Sequence, residues 1–183
     1  MRFGFAAGIM IVLLAGNMSV AQTSSTSAGG PDEKTLWEIW KMQQEKPDDH
    51  IALSTNCMEF VKKSPKDPLA AVATTMAAWH LLQMDNRDGA VKLLTITLST
   101  TKTDALSLSA ANMSKAWLSR VDMEQMKECL QLYYRRHIEY PKTIDLVKPF
   151  QKNGQPPLTD RWGKTWGYGL AEFQNLKKLG TLY

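Results

Sequence analysis

The sequence is poor in the residues that do chemistry in clusters. It has two cysteines and three histidines among 183 residues. Two cysteines exclude a disulfide-dense miniature scaffold. His50, His80 and His137 show no H-x-x-x-H spacing and no neighbouring cysteine, so they read as isolated, and no metal site is expected. His80 falls in an apolar stretch and reads as a satisfied core or groove histidine. There is no G-x-S-x-G to expose a nucleophilic serine and no glycine-rich phosphate cradle. A net charge of +4 is too small to argue for nucleic acid as a partner. No apolar run reaches the roughly 18 residues of an uninterrupted membrane helix. The expectation is a protein that is not an enzyme, carries no cofactor, and has no integral membrane span once its leader is removed. With 44% apolar and 22% charged residues, it has an ordinary globular composition.

What is present begins with an address. Arg2 is the only charge before Asp32, the apolar stretch Phe3 to Leu14 follows it, and Ser19-Val20-Ala21 offers small residues for cleavage. These are the parts of a secretory signal peptide over residues 1–21, cut between Ala21 and Gln22. The chain is therefore expected to be exported, to the periplasm or beyond the cell. Residues 22–31 are small and polar, a flexible leader. Export sharpens the question of Cys57 and Cys129. They either form a disulfide, favoured in an oxidising compartment, or remain two buried thiols acting as small hydrophobes.

Residues 32–121 read as an array of helical hairpins. Leu36, Trp37, Ile39, Trp40 and Met42 recur at helical spacing until Pro47. A second helix fits Asp49 to Lys63, and Ser64-Pro65-Lys66-Asp67-Pro68 breaks the chain. An alanine-rich third helix covers Leu69 to Met84, and a fourth covers Ala90 to Leu98. Asp104 caps a fifth running to Ser119, and Asp122 starts a sixth through about Glu139. Such lengths, joined by short connections, suit antiparallel hairpins. A period of 34 places Phe60 over Leu94 and Pro68 over Lys102. The segment from Ala71 to Thr101 resembles a tetratricopeptide repeat, with small Ala78 where helices cross, then Leu81, Ala90 and Leu94. The preceding window departs from that pattern at Pro47 and Asn56. The resemblance implies a surface for another protein.

Residues 122–183 carry a second resemblance. A helix ending in Tyr133 and Tyr134 runs into Tyr140-Pro141-Lys142-Thr143, and later comes Asp160-Arg161-Trp162-Gly163-Lys164-Thr165-Trp166-Gly167-Tyr168. This order is similar to the globular part of the major pseudopilin, protein G of type II secretion, where a YP-x-T turn precedes a D-P-W-G-x-P-Y-x-Y strand entry. Asp160, Trp162, Gly163 and Tyr168 match, and Trp166 substitutes one aromatic for another. Arg161 and Thr165 stand where the family has prolines. The resemblance implies a small helix plus a short antiparallel β segment, with Tyr140, Pro141, Thr143, Asp160, Trp162, Gly163, Trp166 and Tyr168 as its structural motif. It further implies a protein partner in secretion or pilus-type machinery. The family's calcium loop lies beyond the motif and is not carried over. Lys177, Lys178 and Gly180 read as the end of a short helix begun near Ala171.

The fold class expected is thus mainly α, with tetratricopeptide-like hairpins followed by the pseudopilin-like segment. In an extended chain Trp162, Trp166 and Tyr168 would share one face. They would pack the segment onto its helix or, alternatively, offer a flat platform to sugars in a carbohydrate-binding envelope protein. Residues 141–183 carry seven basic and three acidic side chains, whereas residues 22–140 are nearly balanced. The basic excess reads as a solvated face. The many methionines of the helical part read as core filler.

Overall fold

The computed structural model describes residues 31–100, 103–171 and 179–182. The expected signal peptide, its expected Ala21–Gln22 cleavage site and the expected leader up to residue 30 lie outside the described residues, and Pro31 is the first residue of the first helix. The protein is mainly helical. In chain order the elements are α1 (Pro31–Glu45), α2 (His50–Lys63), α3 (Leu69–Gln83), α4 (Arg87–Thr100), α5 (Ala105–His137), a 3-10 helix (Ile144–Phe150), β1 (Tyr168–Ala171) and β2 (Leu179–Leu182). The chain divides into two compact units with the boundary inside α4, one up to Leu93 and one from Leu94.

In the first unit, the helix ends follow local chemistry. Asp49 caps α2 by accepting a hydrogen bond from the Ala52 amide, satisfying one of the free donors of a first turn. Asp67 accepts from the Leu69 amide at 2.7 Å and so starts α3. Along α2, Leu53, Cys57 and Phe60 recur every three to four residues and are buried, the spacing of one helix face. They pack with Ala73, Met76 and Ala77 of α3 and with Leu36 and Ile39 of α1. The alanines of α3 are buried on several sides. Thr74 and Thr75 are buried in that helix too, and their hydroxyls donate to the carbonyls of Ala70 and Ala71 four residues back.

The second unit corrects one expectation. The chain from Ala105 to His137 is a single helix of 33 residues where two were expected. Asp104 caps it as anticipated, accepting from both the amide and the hydroxyl of Ser107. Asp122 caps nothing. It lies mid-helix, buried, and its carboxylate is engaged by Arg161. The last turn of α5 carries Arg135, Arg136 and His137, suited to its negative end. The helix then stops at Ile138, whose φ of 61° is left-handed and whose amide donates to the Tyr134 carbonyl. A β-branched residue in that region is strained, typically by about 1–3 kcal/mol. Ile138→Gly is therefore expected to raise stability by about 1 kcal/mol after the greater chain entropy of glycine is counted. Thermal or denaturant unfolding measures it directly.

Beyond Pro141 the short 3-10 helix places Ile144 and Val147, three residues apart, against the helix-side core, while Leu146 points outward. β1 and β2 pair antiparallel, Tyr168 opposite Leu182 and Ala171 opposite Leu179. Ala171 and Gly180 are strand residues, and the expected short helix ending at Lys177 and Lys178 lies outside the described residues. Among the described residues, no helix is long and apolar enough to cross a membrane.

Candidate functional site

The tail of the second unit gathers most of the motif residues. Asp160 builds a tight turn. Its amide donates to the Lys164 carbonyl, and its carboxylate Oδ1 accepts from the amides of Trp162 and Lys164 at 2.9 and 2.8 Å. Gly163 closes the turn with a φ of +84°, where any side chain would be strained. Thr159 and Thr165 bridge at its base.

The turn is fixed to α5 by three bonds from one residue. The Arg161 amide donates to Ser119 Oγ at 3.1 Å, and its guanidinium grips Asp122 two-pronged, Nε to Oδ2 at 2.6 Å and the terminal nitrogen to Oδ1 at 2.8 Å. Ser119 and Asp122 lie three residues apart, hence on one face of the helix. Such fork-to-fork pairing fixes orientation as well as charge. Asp122 is 3% exposed. The position where the pseudopilin pattern has proline thus holds the residue that anchors the turn.

The remaining motif residues form a core beneath. Trp166 is 8% exposed and packs with Met126, Cys129, Leu130, Ile144 and Val147. Its indole N–H donates to the Pro157 carbonyl at 2.9 Å. The Tyr168 hydroxyl donates to the Pro141 carbonyl at 2.7 Å, joining the two halves of the motif. Burial chiefly, helped by Tyr140 and Tyr133, pushes the Tyr168 phenol up to about 12, so it stays a donor. Tyr140 stacks on Tyr134 with ring centres 4.9 Å apart, and Thr143 opens the 3-10 helix with its carbonyl accepting from Leu146.

Trp162 does not join them. It is 54% exposed at the tip of the turn. The expected common face of Trp162, Trp166 and Tyr168 therefore does not form, because the turn at Asp160–Lys164 breaks the alternation of an extended strand before Trp166 is reached.

The cysteines are free. The bridge left open above is not formed. Cys57 lies in the apolar core of the first unit, where burial pushes its thiol up to about 12. Cys129 lies in the core of the second, its thiol donating to the Phe150 carbonyl and raised by burial and by Glu128. Both are poor nucleophiles in that state.

No protein-family model, curated protein or solved structure matches the chain.

Two further places in the first unit stand out, a groove and a pair of histidines. A groove of about 210 Å³ between α1 and α2 is lined by Glu38, Met42, Asn56, Glu59, Phe60 and Lys63, with its charged side chains at the surface. The other was invisible in the sequence. His50 and His80 are not isolated, since their Nδ1 atoms lie 3.1 Å apart. The signal that could have found them is positional: one opens α2 and the other sits in the last turn of α3. Among the described residues, no group of three or more His, Cys, Asp or Glu side chains could hold a metal ion.

Proposed function

We propose that the protein is an exported, non-enzymatic interaction protein. Its consecutive helices act as tetratricopeptide-like pairs, and its tail docks onto a component of type II secretion or pilus-type machinery. The observation that carries this reading is the braced turn. A tryptophan stands half-exposed on a loop of five residues that is tied by Asp160 within and by Arg161 beneath. Holding a large apolar ring in water has no benefit to folding, whereas a pre-fixed ring loses little freedom on binding. Tryptophan is also among the residues that dominate interface energies. The joining of the YP-x-T turn to the later aromatics through Tyr168 and Pro141 adds support for a pseudopilin-like tail.

The test is direct binding of the purified mature chain to the soluble domain of a type II major pseudopilin, followed by biolayer interferometry. Trp162→Ala is expected to weaken it at least about 30-fold, the size of an interface anchor, with the fold unchanged. Absence of binding, or binding indifferent to Trp162, overturns the docking assignment.

A further inference from the structure

The histidine pair carries an inference independent of the docking reading. His50 is the first residue of α2, and His80 belongs to the last turn of α3. Their rings face each other through Nδ1 at 3.1 Å, with Trp79 set edge-on to both. His80 is 0% exposed, and its other nitrogen, Nε2, is buried without a partner.

This geometry fixes where the protons sit. One Nδ1 must donate and the other accept. If His50 donated, His80 would carry its hydrogen on Nε2, leaving a buried N–H with nothing to accept it, the costlier kind of orphan. So His80 Nδ1–H donates, and His50 accepts while keeping its own hydrogen on the nitrogen of the half-buried ring nearer water. A single added proton cannot be held without penalty. With three protons on four nitrogens, either both Nδ1 atoms carry hydrogen and oppose each other, or His80 Nε2 carries one, buried and unpaired. A fourth proton sets two N–H groups against each other across 3.1 Å.

We propose that the His50–His80 pair is an acid-operated latch: neutral, it ties the first turn of α2 to the last turn of α3, and protonated, it releases them.

The surroundings offer no counter-charge. On the α2 side Asp48 and Asp49 are exposed, and Asp49 is occupied in capping. On α1, Lys41 and Glu45 pair with each other at the surface. Past the end of α3, Asp85 is exposed. On α3 itself Trp79 Nε1 and Gln83 Nε2 are buried donors without a partner, and neither carries a negative charge. Burial first, and His50 second, hold the His80 imidazole down to about 4, against an ordinary value near 6.5. The sign follows from linkage. As pH falls from about 6.5 toward 4, the open state binds a proton that the closed state refuses, so closure is favoured above this window and lost within it.

The experiment uses the full chain with nitrogen-15 histidines, followed by NMR from pH 7.5 to 4. Amide hydrogen exchange is read at Leu53, which donates to Asp49, and at Met84, which donates to His80. After correction for intrinsic exchange, protection at both is expected to fall at least 10-fold between pH 6.5 and 4.5, while Phe60 in the core stays protected. In His80→Phe, which keeps a flat ring and loses the proton site, the acid step disappears. A His80 resonance that titrates near 6.5 like a free imidazole overturns the latch in the unmodified protein, whatever the variant does. An undiminished acid step in folded His80→Phe overturns it as well.

Discussion

Arg161→Ala is expected to destabilise the second unit by about 3 kcal/mol, the lower end of the cost of leaving one partner of a buried ion pair alone. The reason is asymmetric burial. The Asp122 side chain is 4% exposed and that of Arg161 31%, so removing the arginine strands a carboxylate that water cannot reach. Three bonds to α5 disappear with it, including the one from the Arg161 amide to Ser119, once the turn is free to move. Asp122→Leu with Arg161→Leu is expected to recover most of the loss, because an apolar pair of similar bulk removes the desolvation problem. Denaturant unfolding of the single and double variants, read on the transition of the second unit, makes the comparison. Equal stability of Arg161→Ala and the parent would mean that the guanidinium does not hold the turn.

Trp166→Ala is expected to cost about 3–5 kcal/mol, the range for truncating a buried tryptophan. The indole leaves a hole among Ile144, Val147 and Met126, and the Pro157 carbonyl loses its donor. Trp162→Ala, four residues away, is expected to change stability by no more than about 0.5 kcal/mol, as exposed substitutions usually do. Thermal unfolding of the two variants side by side separates a ring used for packing from a ring held out to solvent. Similar losses for both would place Trp162 in the core and remove the basis for docking through it.

The interruptions of the helical part were legible from local chemistry. Pro47 and the run Ser64–Pro68 each deny the backbone a helical continuation, and α2 and α3 end within a residue of the expected Lys63 and Met84, whereas α4 begins at Arg87, three residues before the expected Ala90, because Asn86 caps it by accepting from the Gly89 amide. The larger failures concern partners distant in sequence. An acid ahead of a helical run is a capping signal, so Asp122 reads as a helix start; its partner lies 39 residues on, and nothing near Asp122 announces it. Arg161 was legible only as a departure from the pseudopilin pattern, although it is the residue that fastens the turn. Spacing of four between Trp162 and Trp166 implied one face, which holds for a straight strand and fails once Asp160 and Gly163 fold the chain back. His50 and His80 stand 30 residues apart, and their meeting depends on which helix ends adjoin, a matter of packing and not of local pattern.

The 39 residues between Asp122 and Arg161 also mean that the carboxylate meets its guanidinium only when the closing segment folds back onto the long helix. A polypeptide ending before Arg161 would keep that flank of the helix hydrated, whereas the longer one hides it.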